Sequence, residues 1–203
     1  MLFRSSINEI DKIDQSYVIG SLNSVSDGAI AARILRYCFG VSTTTVNGYP
    51  NNLEIMLAMH RKEIDASVIP YSTVMLKNPD WLTKGNRIVP LFVFSNREIY
   101  DIPSLTKKIK DNEIKEVVDF VYSGFVFARP VTVPPGTPKE IVESLRKAFD
   151  ETVKDPRYIA DLNKMKLENN PISGAEVEMI IRNMKSAPRN IKELASEMVG
   201  KNG

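Results

Sequence analysis

The sequence predicts an α/β fold in which a mostly parallel β-sheet is followed by a helical carboxyl-terminal segment. Before the proline-rich run at 129–138 (RPVTVPPGTP), short β-branched or apolar segments alternate with helical patterns, which is typical of βαβ units. After that run every segment has the pattern of a helix. We therefore expect an α/β ligand-binding lobe at 15–130 and a helical segment at 131–203.

Composition narrows the class of protein. The 203 residues are 43% hydrophobic, enough to bury a core, and the net charge of +2 arises from basic residues scattered among acidic ones, so no nucleic-acid partner is expected. The single cysteine, Cys38, and single histidine, His60, supply neither a disulfide nor a zinc site. The first 15 residues lack the apolar run of a secretory signal, and no stretch reaches 18 apolar residues. A chain complete as given would therefore be cytoplasmic.

The amino-terminal elements follow one another with clear boundaries. A strand at Tyr17–Gly20 leads through a polar turn to a helix that ends at Gly40. Its apolar positions share one face and are Ile30, Ala31, Ile34, Leu35 and Cys38. The β-branched segment 42–47 (STTTVN) predicts the next strand.

A second helix is expected to begin after Asn51, which caps it together with Glu54, and to run to about His60. Its apolar residues are Leu53, Ile55, Met56, Leu57 and Met59. Strands are predicted at 64–69 and 87–94, the latter displaced to an edge or a bulge by Pro90. This half is completed by a turn at 78–81, by helices at 104–110 and 113–122, and by a strand at 124–133 that leaves the layer.

Four helix starts are predicted in the second half. Thr137 with Glu140 forms a capping pair, and Asp155 precedes a proline suited to a first helical position. Ser173 with Glu176 opens a third helix, and a fourth follows Pro188.

The turn between the first strand and helix is the leading candidate for a binding site. Helix amino termini expose unpaired N–H groups and partial positive charge suited to an anion. The candidate residues in this turn are Ser21, Asn23, Ser24, Ser26 and Asp27. The turn has neither a GxGxxG pattern nor a P-loop, so it predicts a small anion and not a nucleotide. The alternative, which the residues alone favour, is that Ser24, Ser26 or Asp27 only caps the helix.

The ends of the other strands are expected at the same sheet edge, because ligands of open α/β sheets bind outside the carboxyl ends of the strands. The further candidates are Gly48, Tyr49, Asp65, Ser67, Tyr71 and Ser72. Asp65 has an alternative role as a cap or as an ion-pair partner of Arg61. Tyr49 and Tyr71 are equally well explained as packing residues.

Catalytic motifs are missing from the sequence. No serine lies in a GxSxG elbow, and His, Asp and Glu show no metal-ligand spacing. Cys38 and His60 are expected to be packing or surface residues. We therefore expect a protein that is not an enzyme and needs no cofactor.

Several stretches, in order, resemble the receptor family of tripartite tricarboxylate transporters. They include VNGYP at 46–50, LAMHRKEIDA at 57–66 and NPDWL at 78–82, and in the second half RP at 129–130, PPGTP at 134–138, LRKAF at 145–149, DP at 155–156 and NPISG at 170–174. Lys62 and Ala66 stand where that family has glycines. The resemblance covers most of 15–195 and corresponds to the second lobe and carboxyl-terminal helices of the family.

The resemblance implies a type II periplasmic-binding-protein-like lobe, a periplasmic location, and a small organic carboxylate held between two lobes and delivered to membrane permease subunits. A complete member has a signal peptide and a first lobe ahead of this region. The helices after Pro138 would then either pack on the remaining lobe or expose apolar faces that drive self-association. The alternative function is a single-lobe regulatory or protein-interaction module.

Overall fold

The computed structural model describes residues 2–3, 16–82, 88–94, 102–127, 130–165, 167 and 169–200. The chain forms two compact units, of which the second is Ser123–Ala187 and the first contains everything before it together with Pro188–Gly203. This division differs from the predicted one at 130/131, because the last helix belongs to the first unit and not to the helical segment.

The first unit contains a five-stranded sheet in which the three neighbouring strands on one side are parallel. Its strands are β1 Leu2–Phe3, β2 Tyr17–Gly20, β3 Thr43–Val46, β4 Ala66–Ser67 and β5 Val89–Pro90, in the order β3-β2-β4-β1-β5. β2 pairs in parallel with β3 and β4, whereas β1 pairs antiparallel with β4 and β5. The α/β class is therefore confirmed, and Pro90 lies in an edge strand as its missing N–H predicts.

Eight α-helices lie in the described part of the chain. They are α1 Asp27–Phe39, α2 Asn52–Arg61, α3 Tyr71–Lys77, α4 Asn112–Ser123, α5 Lys139–Thr152, α6 Pro156–Lys164, α7 Gly174–Ser186 and α8 Arg189–Val199. Gly40 ends α1 with φ 65°, and Asn51 caps α2 by accepting hydrogen bonds from the N–H groups of Leu53 and Glu54. The predicted boundaries of both helices are confirmed to within one residue.

Two apolar clusters fix the helices around the sheet. In the first, α1 and β2 are buried with α4 and α8, through residues such as Ile19, Leu35, Val117 and Ile191. In the second, α2 packs with the segment that contains Trp81. Both clusters leave the carboxyl ends of β2 and β4 flanked by the first turns of α1 and α2.

Gly28 lets α1 approach the end of β2 closely. A Cβ at this position would lie 2.4 Å from the carbonyl oxygen of Gly20 and 3.2 Å from Cβ of Ser21. The first turn of α1 therefore rests directly on the backbone that ends β2, which is the part of the fold that shapes the candidate site.

Several predicted strands are shortened or wrong. The segment 64–69 contributes only Ala66–Ser67, because Ser67 already pairs with Gly20, the last residue of β2. Of 87–94, position 87 lies outside the described residues and only Val89–Pro90 is a strand. The strand at 124–133 is wrong: Gly124–Phe127 is a 3-10 helix, and 130–133 has no regular structure. Pro130 and the prolines that follow cannot donate to a ladder.

Four other predictions are refined or corrected. At 104–110 only Thr106–Lys108 is helical, as a 3-10 turn, and 78–81 falls largely in the 3-10 helix Pro79–Leu82. Thr137 does not cap α5, because its hydroxyl donates to the carbonyl of Pro134 over 2.7 Å. Leu53 and Leu57 are exposed, since the face of α2 that meets the core carries Ile55, Met56 and Met59.

The second unit consists of α5, α6, α7 and their connections. Asp155 and Ser173 cap α6 and α7 as predicted, the latter with the full capping box to Glu176. No residue of α5 or α7 is buried as deeply as a core residue. Nowhere in the described ranges does a helix have both the length and the apolar character that a bilayer crossing requires.

Candidate functional site

A small cavity of about 60 Å³ lies at the carboxyl ends of β2 and β4. Its lining residues are Gly20, Ser21, Leu22, Ser26, Asp27, Gly28, Asn52, Ile55, Ser67 and Val68. Gly20 and Ser67 are the last residues of two parallel strands, which is the edge where ligands of α/β sheets bind.

Two helix amino termini meet at this cavity. Asp27 is the first residue of α1 and Asn52 the first residue of α2, and both line the cavity. Unpaired N–H groups and the positive ends of two helix dipoles are therefore brought to one place. Both helix dipoles favour an anion at this place, and no arginine or lysine is among the lining residues.

The serine hydroxyls of the turn bond to one another and to the backbone. Ser21 Oγ accepts from the N–H of Ala29 at 3.0 Å and lies 2.6 Å from Ser26 Oγ and 2.9 Å from the carbonyl oxygen of Asn23. Ser26 Oγ is also 3.0 Å from that carbonyl. Each hydroxyl has one proton, so both protons already have acceptors within the turn.

Ser67 has a similar internal role. Its side chain is buried, and its hydroxyl donates to the carbonyl of Gly20 over 2.8 Å, which ties the ends of β2 and β4 together. The hydroxyls therefore shape the wall of the cavity. The N–H groups of Ala29, Leu53 and Glu54 already donate to side-chain oxygens. The donors that remain for a ligand at the two helix starts are the N–H groups of Gly28 and Asn52 and the carboxamide of Asn52.

Asp27 brings a carboxyl group to the wall of the cavity. Burial raises the pKa of this carboxyl, partly offset by a hydrogen bond from its own backbone N–H. None of the ion pairs between described residues involves Asp27. A charged Asp27 would repel an anion, whereas a protonated Asp27 could donate a hydrogen bond to one.

The loop after β3 adjoins the same cavity. Gly48, with φ 101°, donates its N–H to the carbonyl of Leu22 over 3.1 Å. The ring of Tyr49 lies close to Gly20, with Cε2 3.5 Å from where a Cβ of Gly20 would be. Burial, and secondarily the charge of Glu63, raises the pKa of the Tyr49 hydroxyl.

The structure therefore places the predicted candidates in four groups, of which three lie at or beside the cavity. Ser21, Ser26, Asp27 and Ser67 line the cavity, and Gly48 and Tyr49 adjoin it. Asn23 and Ser24 form the outer part of the turn, where Asn23 Oδ1 accepts from the N–H of Val25 and the carbonyl of Ser24 accepts from Arg33. The binding roles of all these candidates stay predictions.

Asp65, Tyr71 and Ser72 neither line the cavity nor belong to the turn between β2 and α1. Asp65 Oδ2 accepts from the N–H of Val18 over 3.0 Å, so this carboxylate supports the β2 backbone. Tyr71 and Ser72 begin α3. The alternative prediction paired Asp65 with Arg61. The ion pair that Arg61 forms is instead with Glu63, with Nη1 of Arg61 4.0 Å from Oε1 of Glu63.

Asn52 and Gly28 were missed as lining residues. Asn52 directly follows the capping Asn51, so applying the helix-terminus reasoning to the second helix as well as the first would have found it. The contact of Gly28 with Gly20 is a tertiary approach that has no local signal in the sequence.

Cys38 and His60 lie apart from the cavity lining. Burial raises the pKa of the Cys38 thiol to about 11, which disfavours the reactive thiolate. His60 is exposed, with its ring 5.0 Å from that of Trp81. Within the described residues, no group of three or more His, Cys, Asp or Glu is placed to hold a metal ion.

Comparisons of this chain with protein-family models, with curated proteins and with solved structures gave no match.

Proposed function

We propose that this chain binds a small organic carboxylate non-covalently in the cavity at the ends of β2 and β4, as a solute-binding component of the tripartite tricarboxylate type. The observation that carries the proposal is the meeting of two helix amino termini at one polar cavity. Both termini offer backbone N–H donors to an anion, and the serine hydroxyls of the cavity are held in hydrogen bonds within the fold.

The size of the cavity indicates how much of a ligand it holds. Ligand pockets usually measure about 300 to 1,000 Å³, and this one measures about 60 Å³. One carboxylate group fits, and the rest of the acid extends beyond the wall. In the family that the sequence resembles, a first lobe closes over this side of the ligand.

The backbone at Lys62 supports the resemblance. Lys62 is the one non-glycine residue with positive φ in the described chain, at 65°, and it ends α2. This left-handed conformation favours glycine, and glycine is the residue that the family has at this position. The lysine therefore adopts the turn that the family's glycine would make.

Asp27 should make binding of an acid depend on pH. Because burial already raises its pKa, and a bound anion would raise it further, binding takes up a proton and tightens as pH falls. Tyr122 interacts with Asp27, since burial and, secondarily, the charge of Asp27 raise the pKa of Tyr122 well above normal, and Cys38 interacts in turn with Tyr122. Both are neutral over the range in which Asp27 titrates.

Thermal shift and calorimetry with acetate, succinate and citrate between pH 5 and 7 test the proposal. A ligand at 100 times its dissociation constant should stabilise the fold by about 2.7 kcal/mol. We expect Asp27→Asn to bind more tightly at pH 7 and to keep only the pH dependence that protonation of the acid itself produces. Asp119→Asn is the matched control, because burial also raises the pKa of Asp119 but α4 does not line the cavity. Failure of every acid to bind a folded sample would refute the proposal.

The exposed apolar residues of the second unit favour a second candidate, a protein-interaction module. Ile141 and Leu145 on α5 are about half exposed, at 50% and 51%, and Met179 on α7 is 55% exposed. Light scattering decides between the two: stable association with another chain and no response to any small acid would favour the module.

A further inference from the structure

The carboxyl end of α8 is joined to the turn of the candidate site by one side chain. Arg33, on α1, donates from Nη1 to the carbonyl oxygen of Val199 at 2.5 Å and from Nη2 to the carbonyl oxygen of Ser24 at 2.7 Å. Val199 is the last residue of α8, and Ser24 lies in the turn whose serines line the cavity. One guanidinium therefore connects two segments 175 residues apart in the sequence.

Both contacts are of the stronger kind. The donor is a charged guanidinium, and hydrogen bonds from charged donors are shorter and stronger than neutral ones. The acceptor on α8 is one of the carbonyls that a helix end leaves without an intrahelical partner, where the helix dipole also favours a cation. The planar fork of arginine can reach both carbonyls at once, whereas a lysine ammonium is a point donor.

Packing holds α8 where Arg33 can reach it. Ile191, Ala195 and Met198 of α8 are buried in the same cluster as the apolar face of α1. Gly200, just past α8, lies against the guanidinium, since a Cβ there would be 3.4 Å from Cζ of Arg33. The position of the turn at Ser24 is therefore tied to the position of α8.

We propose that Arg33 is a positioning residue that couples the docking of α8 to the shape of the ligand cavity. Arg33 is not among the residues that line the cavity. By holding the carbonyl of Ser24, it fixes the outer part of the turn while Ser21 and Ser26 bond inside it. α8 follows the second unit directly in the chain, so a displacement of α8 reaches the cavity through this side chain. The importance of Arg33 for binding rests on the proposed carboxylate function, whereas the coupling between α8 and the turn at Ser24 does not.

Amide exchange measured by NMR without ligand tests the coupling. The N–H groups of Ala29 and Ile30 bond to Ser21 Oγ and to the carbonyl of Ser26, so they report on the turn. We expect Arg33→Ala to speed their exchange about tenfold, corresponding to about 1.4 kcal/mol, and to leave the amides of α2 unchanged.

Arg36→Ala is the matched control. Arg36 is on the same helix and carries the same charge, but its guanidinium donates to the carbonyl of Thr43 at 2.6 Å, on β3. Its loss should leave the exchange of Ala29 and Ile30 as in the wild type. Equal acceleration in both variants, or no acceleration in Arg33→Ala, would overturn the proposal.

Gly200→Ala approaches the same contact from α8. With φ 89° at this position, an alanine is strained and shifts the helix end against Arg33 without altering α1 or the turn. We expect faster exchange at Ala29 here too, and unchanged exchange would contradict the coupling. This variant also serves if Arg33→Ala fails to fold.

Titration with citrate and acetate then separates the two proposals. If an acid binds, the wild type should show slower exchange in α8 on binding, because coupling between sites is reciprocal, and Arg33→Ala should not. Slower exchange in α8 of both proteins would refute the coupling. If no acid binds while the ligand-free exchange behaves as expected, the carboxylate function fails and the coupling stands.

Discussion

The close approach of α1 to β2 makes Gly28→Ala the sharpest test of how the cavity is built. An added Cβ would lie 2.4 Å from the carbonyl oxygen of Gly20, and real Cβ contacts are essentially never below 3.0 Å, so the two backbones must separate by at least 0.6 Å. Neither partner is a flexible side chain that could rotate away. The first turn of α1 must therefore move off the end of β2.

The expected magnitude combines two opposing effects. Overpacking in a tight contact costs about 1 to 3 kcal/mol, and here the upper end applies because backbone meets backbone. Replacing glycine by alanine in a helix returns about 1 kcal/mol. We expect the free energy of unfolding of Gly28→Ala to fall by about 2 kcal/mol.

Urea unfolding followed by fluorescence measures this change. Trp81 is the only tryptophan and is buried in the first unit, so its emission reports on the unit that contains Gly28. Gly124→Ala, followed by circular dichroism, is the control, since its Cβ would meet only Met184 Cε at 3.9 Å. Unchanged or increased stability of Gly28→Ala at the same urea dependence would refute the close approach.

Three further perturbations test other parts of the site. Asn51→Ala removes the cap of α2 and should lower the free energy of unfolding by about 1 kcal/mol in the same urea experiment. Gly20→Ala meets Cδ1 of Ile64 at 2.4 Å, so Ile64→Val should recover part of the stability that Gly20→Ala loses, and strictly additive losses would contradict this contact. The pKa of Asp27 is higher in the folded protein than in the unfolded chain, so the folded state is less stable when this carboxyl is charged. Stability is therefore lost as the pH rises from the unfolded pKa through the folded pKa. Asp27→Asn should therefore be the more stable protein at pH 7, and its advantage should shrink toward pH 4.

Local signals in the sequence were sufficient for most of the helix boundaries. Gly40, Asn51, Asp155 and Ser173 each mark a helix end through chemistry confined to a few neighbouring residues, and all four mark it in the structure. Parallel pairing of β2 with β3 also followed, because two β-branched segments flank one amphipathic helix.

Strand lengths depended on partners that local reasoning cannot see. β4 ends at Ser67 because β2 ends at Gly20, and β1 is described at Leu2–Phe3 alone. The segment 124–133 has a strand-like composition but is followed by prolines and pairs with no strand where it is described. Composition indicates what a segment could form, whereas pairing requires a neighbour at the right distance.

The location of the candidate site could be predicted from the sequence, but the contacts within it could not, because they join residues distant in the sequence. Ser21, Ser26, Asp27 and Ser67 follow from one rule, that polar residues after parallel strands gather at one edge. What each hydroxyl does there depends on contacts across the sequence, such as the bond from Ser67 to Gly20. The sequence therefore located the edge without showing that its hydroxyls already have acceptors.

The charge balance at the cavity then limits which acids the proposed site would accept. Two helix dipoles attract an anion, and the hydroxyls of Ser21 and Ser26 are committed to the turn, so backbone N–H groups must provide the donors. Asp27 opposes a second negative charge unless it is protonated. A monoanion should therefore bind better than a dianion of similar size at pH 7, and the gap should narrow as the pH falls or when Asp27 is replaced by asparagine. Calorimetry with butyrate and succinate measures this gap directly, and a stronger preference for succinate in the wild type than in Asp27→Asn would show that Asp27 does not face the ligand.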